Sequence, residues 1–141
     1  MSRIRSQARK AVIQALYQWQ LAEQNLHEIE MQFREERKGS KIDFEYFSEI
    51  LHAVPAQVTE LDALLAPHMD RGMKETNPVE LAILRMAVYE LKMRLDVPYR
   101  VIINEAVELG KQFGADQGHK FVNSVLDQVA KSLRKAEQPP K

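Results

Sequence analysis

A chain of 141 residues, 45% hydrophobic and 28% charged, with five glycines and six prolines, has the composition of one packed globular domain rather than of a disordered or collagen-like segment. Twenty Lys and Arg offset 20 Asp and Glu, so net charge does not advertise nucleic-acid binding; any such affinity must come from local clustering or be shared with a partner. The absence of cysteine excludes disulfides, thiolate nucleophiles and cysteine-based zinc sites. The charged start, Met1-Ser2-Arg3-Ile4-Arg5, has no apolar run behind it, which argues against a signal peptide. No stretch approaches the roughly 18 uncharged apolar residues of a membrane span, so a cytoplasmic protein is expected.

Apolar residues recur with helical period almost throughout, and no window alternates between hairpin turns, so the expected fold class is all-α. The first helix should run over residues 2–23, with Ala8, Ala11, Val12, Ala15, Leu16 and Trp19 as its inward stripe. A weaker helix over 27–37 is closed by Lys38-Gly39-Ser40, where Gly39 suits a C-terminal cap. Asp43 can cap the third helix, whose stripe is Phe44, Phe47, Ile50, Leu51, Val54, Val58, Leu61 and Leu65. Pro55 lies inside that pattern and should kink or split it; a kink is the expectation.

Residues 67–76 read as an irregular connection. Asn77-Pro78-Val79-Glu80 then reads as a helix start, with Asn77 as cap, Pro78 in the first turn and Glu80 able to reach back to the cap. That helix carries Leu81, Leu84, Ala87, Val88, Leu91 and Leu95, and Asp96-Val97-Pro98 ends it. The next spans 98–113 with Ile102, Ala106, Leu109 and Phe113 inward, Gly114 to Gly118 breaks the chain, and a last helix packs Val122, Val125, Leu126, Val129 and Leu133. Antiparallel helices on short loops make a bundle architecture, divided into an N-terminal half over 1–66 and a C-terminal half over 77–134, with a polar tail over 135–141.

The residues give little support to catalysis. The four histidines, His27, His52, His68 and His119, lack zinc spacing, and no glycine-rich phosphate loop is present. Carboxylates such as Glu35-Glu36 lie in polar runs that predict neither burial nor a charged partner. The first helix is more informative. At about 100° per residue, Arg5 and Arg9 fall along one flank of the apolar stripe, while Arg3, Lys10, Gln14 and Tyr17 fall together opposite the core. Cations neutralise phosphate, and an exposed ring or amide can stack on or hydrogen-bond to an unpaired base. A solvated helix end with one stray tyrosine reads equally well from these residues alone. On the last helix Phe121 sits at the margin of the stripe and Lys120 points away from it, while Arg85 could be a plain surface charge.

Longer strings carry more. Leu84-Arg85-Met86-Ala87-Val88-Tyr89-Glu90-Leu91, Val97-Pro98, Ile103-Asn104-Glu105-Ala106-Val107-Glu108-Leu109 and Lys120-Phe121-Val122-Asn123-Ser124-Val125-Leu126-Asp127 resemble the NusB family of bacterial transcription antitermination factors. So does AVIQALYQWQ, from Ala11 to Gln20, with arginines just upstream. The likeness runs in order over essentially the whole chain. It implies two small antiparallel helical bundles packed together in a single RNA-binding domain. It also implies an adaptor that pairs with the ribosomal protein NusE, binds boxA-type single-stranded RNA in nascent ribosomal transcripts and helps assemble the antitermination complex on RNA polymerase, without catalysis, cofactor or metal.

Carried over to this sequence, the resemblance implies RNA contacts at Arg3, Arg5, Arg9, Lys120 and Phe121. The outer-face residues Lys10, Gln14 and Tyr17 join them. Tyr17 and Glu80 match positions of the RNA- and NusE-binding surface, with Arg85 beside Glu80 on the partner side. Self-association of the free chain through that surface stays open. Ser6 and Gln7 stand where the family is often more basic, which implies weaker intrinsic RNA affinity, and Ile103 and Ser124 replace smaller residues. Two other readings compete. A methyltransferase-associated module is disfavoured because no Rossmann-type fingerprint or cysteine nucleophile follows the helices before Lys141, and a purely structural interaction bundle would make the basic residues dispensable.

Overall fold

The computed structural model describes residues 3–138, which form seven α-helices and no strand. They are α1 (Arg3–Ala22), α2 (Leu26–Glu36), α3 (Phe44–Ala56), α4 (Val58–Leu65), α5 (Pro78–Met93), α6 (Tyr99–Phe113) and α7 (Gly118–Leu133). Short 3₁₀ turns at Ala66–His68 and Met73–Glu75 occupy the connection before α5, and a third at Lys135–Glu137 begins the polar tail. A first-helix start at Ser2 and the tail residues 139–141 lie outside the described residues.

Side-chain caps set the helix starts. Asn25 Oδ1 accepts from the His27 and Glu28 N–H groups at 2.9 and 3.2 Å, which starts α2 one residue before the sequence suggested. Asp43 Oδ1 accepts from Tyr46 N at 3.0 Å, and Asn77 Oδ1 accepts from Val79 N and Glu80 N at 2.9 and 3.3 Å, with Pro78 in the first turn. Each satisfies N–H groups that the first helical turn leaves without an internal partner. Gly39 does adopt the left-handed region, at φ 85°, but in the turn after α2 rather than directly at its cap, Arg37.

At Pro55 the structure corrects the expectation of a kink: the helix splits. Pro55 lacks an N–H and its ring crowds the carbonyl of Leu51. The helix persists only to Ala56, Gln57 leaves helical geometry at φ −111° and ψ 15°, and α4 restarts at Val58. Leu61 and Leu65 are fully buried where α4 packs on α5 and α7.

Helix α5 is the axis of the molecule. Helices α1, α3, α4, α6 and α7 all pack against it, and it is buried from Glu80 through Leu91 at every residue except Arg85. A helix apolar nearly all round belongs inside. Leu95, expected inward, is instead 67% exposed, because α5 ends at Met93 and the chain turns before reaching it. Helices α1–α4 and α5–α7 share one continuous core that includes Leu16, Phe47, Leu84 and Leu126. Arg134, 4% exposed, closes the far end of α5 by donating to the carbonyls of Leu91, Arg94 and Val97 at 2.8–2.9 Å and of Glu90 at 3.2 Å. Leu91 O belongs to the last turn, which runs short of internal donors, while Glu90 O and Arg94 O also accept from Arg94 N and Val97 N at 2.9 and 3.0 Å.

Candidate functional site

The outer row of α1 forms one wall of a surface cavity. Arg3, Gln7, Lys10 and Gln14 recur at steps of four, three and four residues, so they line one strip of the helix surface. Opposite them lies the α2–α3 connection, where Ser40 N donates to Arg37 O at 2.9 Å across a turn that Gly39 permits at φ 85°. This turn brings Arg37 and Lys41 to the strip, and the two walls enclose a groove of about 830 Å³. All of its charged lining residues are cations: Arg3, Lys10, Arg37 and Lys41. Arg37 bridges the walls by donating to Gln14 Oε1 at 2.6 Å, and its guanidinium lies 4.4 Å from the Phe33 ring centroid. Lys10 Nζ lies 5.5 Å from the Phe113 ring centroid.

Past Gln14 the strip continues into a small apolar slot of about 140 Å³ bounded by Ile13, Tyr17, Val79 and Phe113. Tyr17 is 38% exposed, as its wheel position suggested. The groove and the slot adjoin through Gln14, so cationic, amide and aromatic groups follow one another along α1. Neither Arg37 nor Lys41 stood out in the sequence, because they sit in a polar run whose only readable signal was the turn residue Gly39.

Arg9 is a correction. Expected on RNA, it is 1% exposed, because α3 and α5 pack over the flank of α1 that carries it and Glu105 of α6 reaches it from the side. Its Nε and Nη2 donate to the two Glu90 oxygens at 2.8 Å each, and Nη1 donates to Glu105 Oε1 at 2.9 Å. Tyr46 adds its hydroxyl to Glu90 at 2.5 Å, and Ser6 donates to Glu105. Burial alone would lower the Arg9 pKa, but the Glu90 carboxylate outweighs it and holds the guanidinium charged. Burial first, and then Glu90, push the Tyr46 phenol above its ordinary range. The charge of Arg9 is thus neutralised inside the protein. Arg5 is half-buried at the rim of this cluster, 4.2 Å from the Tyr46 ring centroid and 4.0 Å from the Asp43 carboxylate.

Glu80 is a second correction. It neither reaches back to its helix cap nor lies on a surface: it is 2% exposed, and its Oε2 accepts from Ala115 N at 2.9 Å. Gly114 and Gly118 make room for it, since a Cβ on Gly118 would come within 2.2 Å of Glu80 Oε2. The carboxylate therefore anchors the α6–α7 connection from below, just before Lys120 and Phe121. Lys120 is exposed, and Phe121 is half-buried with the Arg71 guanidinium 4.4 Å above its ring. Arg85 is no plain surface charge. It makes a bidentate pair with Asp62 at 2.8 and 2.9 Å and donates to Gln20 at 3.0 Å, joining α5 to α4 and α1. It borders a groove of about 420 Å³ with Trp19, Met73 and Leu81.

Among the described residues no group of His, Asp and Glu is placed to hold a metal ion. No helix among them is long and apolar enough to cross a membrane.

A family model described as the NusB family matches residues 6–131. A transcription antitermination protein NusB of Pseudomonas putida (strain W619) is 56% identical over 133 residues, spanning 94% of this chain and 80% of the relative. T. maritima NusB has the same fold, with a TM-score of 0.80 at 29% identity over 94% of each chain. A structure of antitermination factors NusB and NusE in complex with double-stranded RNA matches with a TM-score of 0.83 at 28% identity, over 94% of this chain and 99% of that one.

Proposed function

The chain belongs to the NusB family, and from that premise we propose that it is a transcription antitermination adaptor. It binds boxA-type RNA of nascent ribosomal transcripts together with the ribosomal protein NusE, and helps build the antitermination complex on RNA polymerase. The observation that carries this reading is the groove along α1, whose four charged lining residues are all cations in a protein of zero net charge. A polyanion is attracted to such a concentration of one sign, and each phosphate contact adds salt-sensitive affinity.

Arg3, Lys10, Arg37 and Lys41 neutralise phosphates, with Arg5 at the rim. Gln14 and Tyr17 face unpaired bases, Phe121 lies on the same RNA side beneath Arg71, and Lys120 adds a cation beside it. Arg9 belongs to the interior. On the partner side, Tyr17 and the Trp19–Leu81–Arg85 groove offer mixed apolar and charged surface to NusE, or to a second copy of the free chain, while Glu80 acts from beneath. So few cations reach only a few phosphates, and a basic partner therefore completes the surface and the pair binds RNA more tightly than this chain alone. The reading is of a cytoplasmic binding protein rather than an enzyme, in keeping with relatives that are antitermination proteins.

The test is a titration of single-stranded and double-stranded boxA-type RNA with and without NusE at two salt concentrations. NusE should tighten binding and favour the single-stranded sequence. Arg3→Ala and Lys41→Ala should each reduce the salt slope by about 1. The proposal fails if NusE changes neither affinity nor preference.

A further inference from the structure

The connection between α4 and α5 contributes nothing to the cationic groove, yet it leans on an RNA-side residue. The Arg71 guanidinium carbon lies 4.4 Å from the Phe121 ring centroid. The Phe121 side chain is half-buried and packs against the core, so its ring is held from below. Arg71 is held from the side, its Nε 3.0 Å from Asp70 Oδ1, while 41% of its side chain remains exposed.

The segment that carries Arg71 is itself anchored. Thr76 is 4% exposed and its hydroxyl donates to Gly72 O at 2.9 Å. Glu75 N donates to Gly72 O at 3.2 Å, and Met69 and Met73 pack against the core on either side of Arg71. A guanidinium fixed on an aromatic ring by an anchored loop is a preorganised plane rather than a loose charge.

We propose that Arg71 and Phe121 together form a base-stacking platform, in which the outward face of the guanidinium receives one unpaired base of the bound RNA. The proposal rests on the RNA-binding reading above and adds a residue to it. Three properties favour stacking over simple charge neutralisation. The guanidinium is planar and weakly hydrated, it already lies near a ring, and Asp70 offsets part of its charge. Arginine planes stack on splayed bases much as aromatic rings do, and loss of one such stack weakens binding about tenfold.

The discriminating variants are Arg71→Lys, which keeps the charge and loses the plane, and Arg71→Ala, which loses both. RNA affinity is measured for the full chain with NusE at several salt concentrations, and folding is checked by thermal unfolding. Arg71→Lys should bind about tenfold more weakly with an unchanged salt slope. Arg71→Ala should be at least as weak. An abasic scan of the RNA then locates the stacked base: removing it should cost the wild type about tenfold and the Arg71→Ala variant little, since the two changes delete one interaction. Wild-type affinity in Arg71→Lys would make Arg71 at most a phosphate contact and overturn the platform. Wild-type affinity in both variants would reduce the pair to packing and overturn it as well. If the wild type itself shows no partner-enhanced RNA binding, the underlying reading falls, and the platform with it.

Discussion

Replacing Arg9 by Met separates the two roles open to a basic residue near the start of α1. The substitution keeps most of the side-chain stem but removes the bidentate pair to Glu90 and the bond to Glu105. Glu90 would then remain 1% exposed with only the Tyr46 hydroxyl as a side-chain donor, whereas Glu105, at 17% side-chain exposure, can recruit water. Breaking a buried pair from one side costs about 3–5 kcal/mol, chiefly because the orphaned charge has no solvent. That is a large part of the roughly 5–15 kcal/mol that stabilises a domain of this size. Urea unfolding followed by circular dichroism should therefore show a markedly lower midpoint with little change in slope. Adding Glu90→Leu should recover part of the loss, because an apolar pair leaves only the Tyr46 hydroxyl to find a new partner, Glu105 keeping its bond from Ser6. RNA titrations of the folded fraction should show an unchanged salt slope. Arg3→Ala should do the opposite, with stability within about 0.5 kcal/mol and a shallower slope. A stability loss below about 1 kcal/mol in Arg9→Met, together with a reduced salt slope, would refute the assignment of Arg9 to the interior.

Two further outcomes follow from other contacts. Gly118→Ala should displace the Glu80 carboxylate, which lies within 2.2 Å of the new Cβ, and break its bond to Ala115; the expected loss is about 1–3 kcal/mol, non-additive with Glu80→Ala in a double-mutant cycle by urea unfolding. Additive losses would mean that the two residues do not share that contact. Glu30 carries the second: burial would raise its pKa, but hydrogen bonds from His52, Arg34 and Ser48 outweigh this and hold it below the ordinary carboxylate value. A depressed folded-state pKa makes its stabilising contribution complete above the ordinary carboxylate pKa, and that contribution is lost as pH falls through the folded-state value. The stability difference between wild type and Glu30→Gln should thus be largest near neutral pH and shrink through the acid range; a difference independent of pH would exclude the linkage.

Six helices and most of their starts were legible because the signals are local, whereas the seventh came from the split at Pro55, where the sequence suggested a kink. Asn77 and Asp43 cap the turn that immediately follows them, and period alone marks Leu16, Ile50, Leu84 and Val125 as core. The family was legible too, in strings such as Lys120 to Asp127. Where the sequence misled, a neighbour distant along the chain made the difference. A helical wheel places Arg9 on a flank but not the helices that cover the flank, and its partners lie 81 and 96 residues away. Glu80 was read as a local cap because its true partner, Ala115, is 35 residues on. Pro55 announced a disruption, but the choice between kink and split is made at Gln57, which leaves helical geometry before α4 restarts at Val58. Likewise Arg37 and Lys41 meet the outer row of α1 only because the turn at Gly39 folds back on it. One helix and its caps are decided by a few adjacent residues. Whether a charge ends in solvent, in an ion pair or in a binding groove depends on what packs against it, and that the tertiary structure alone decides.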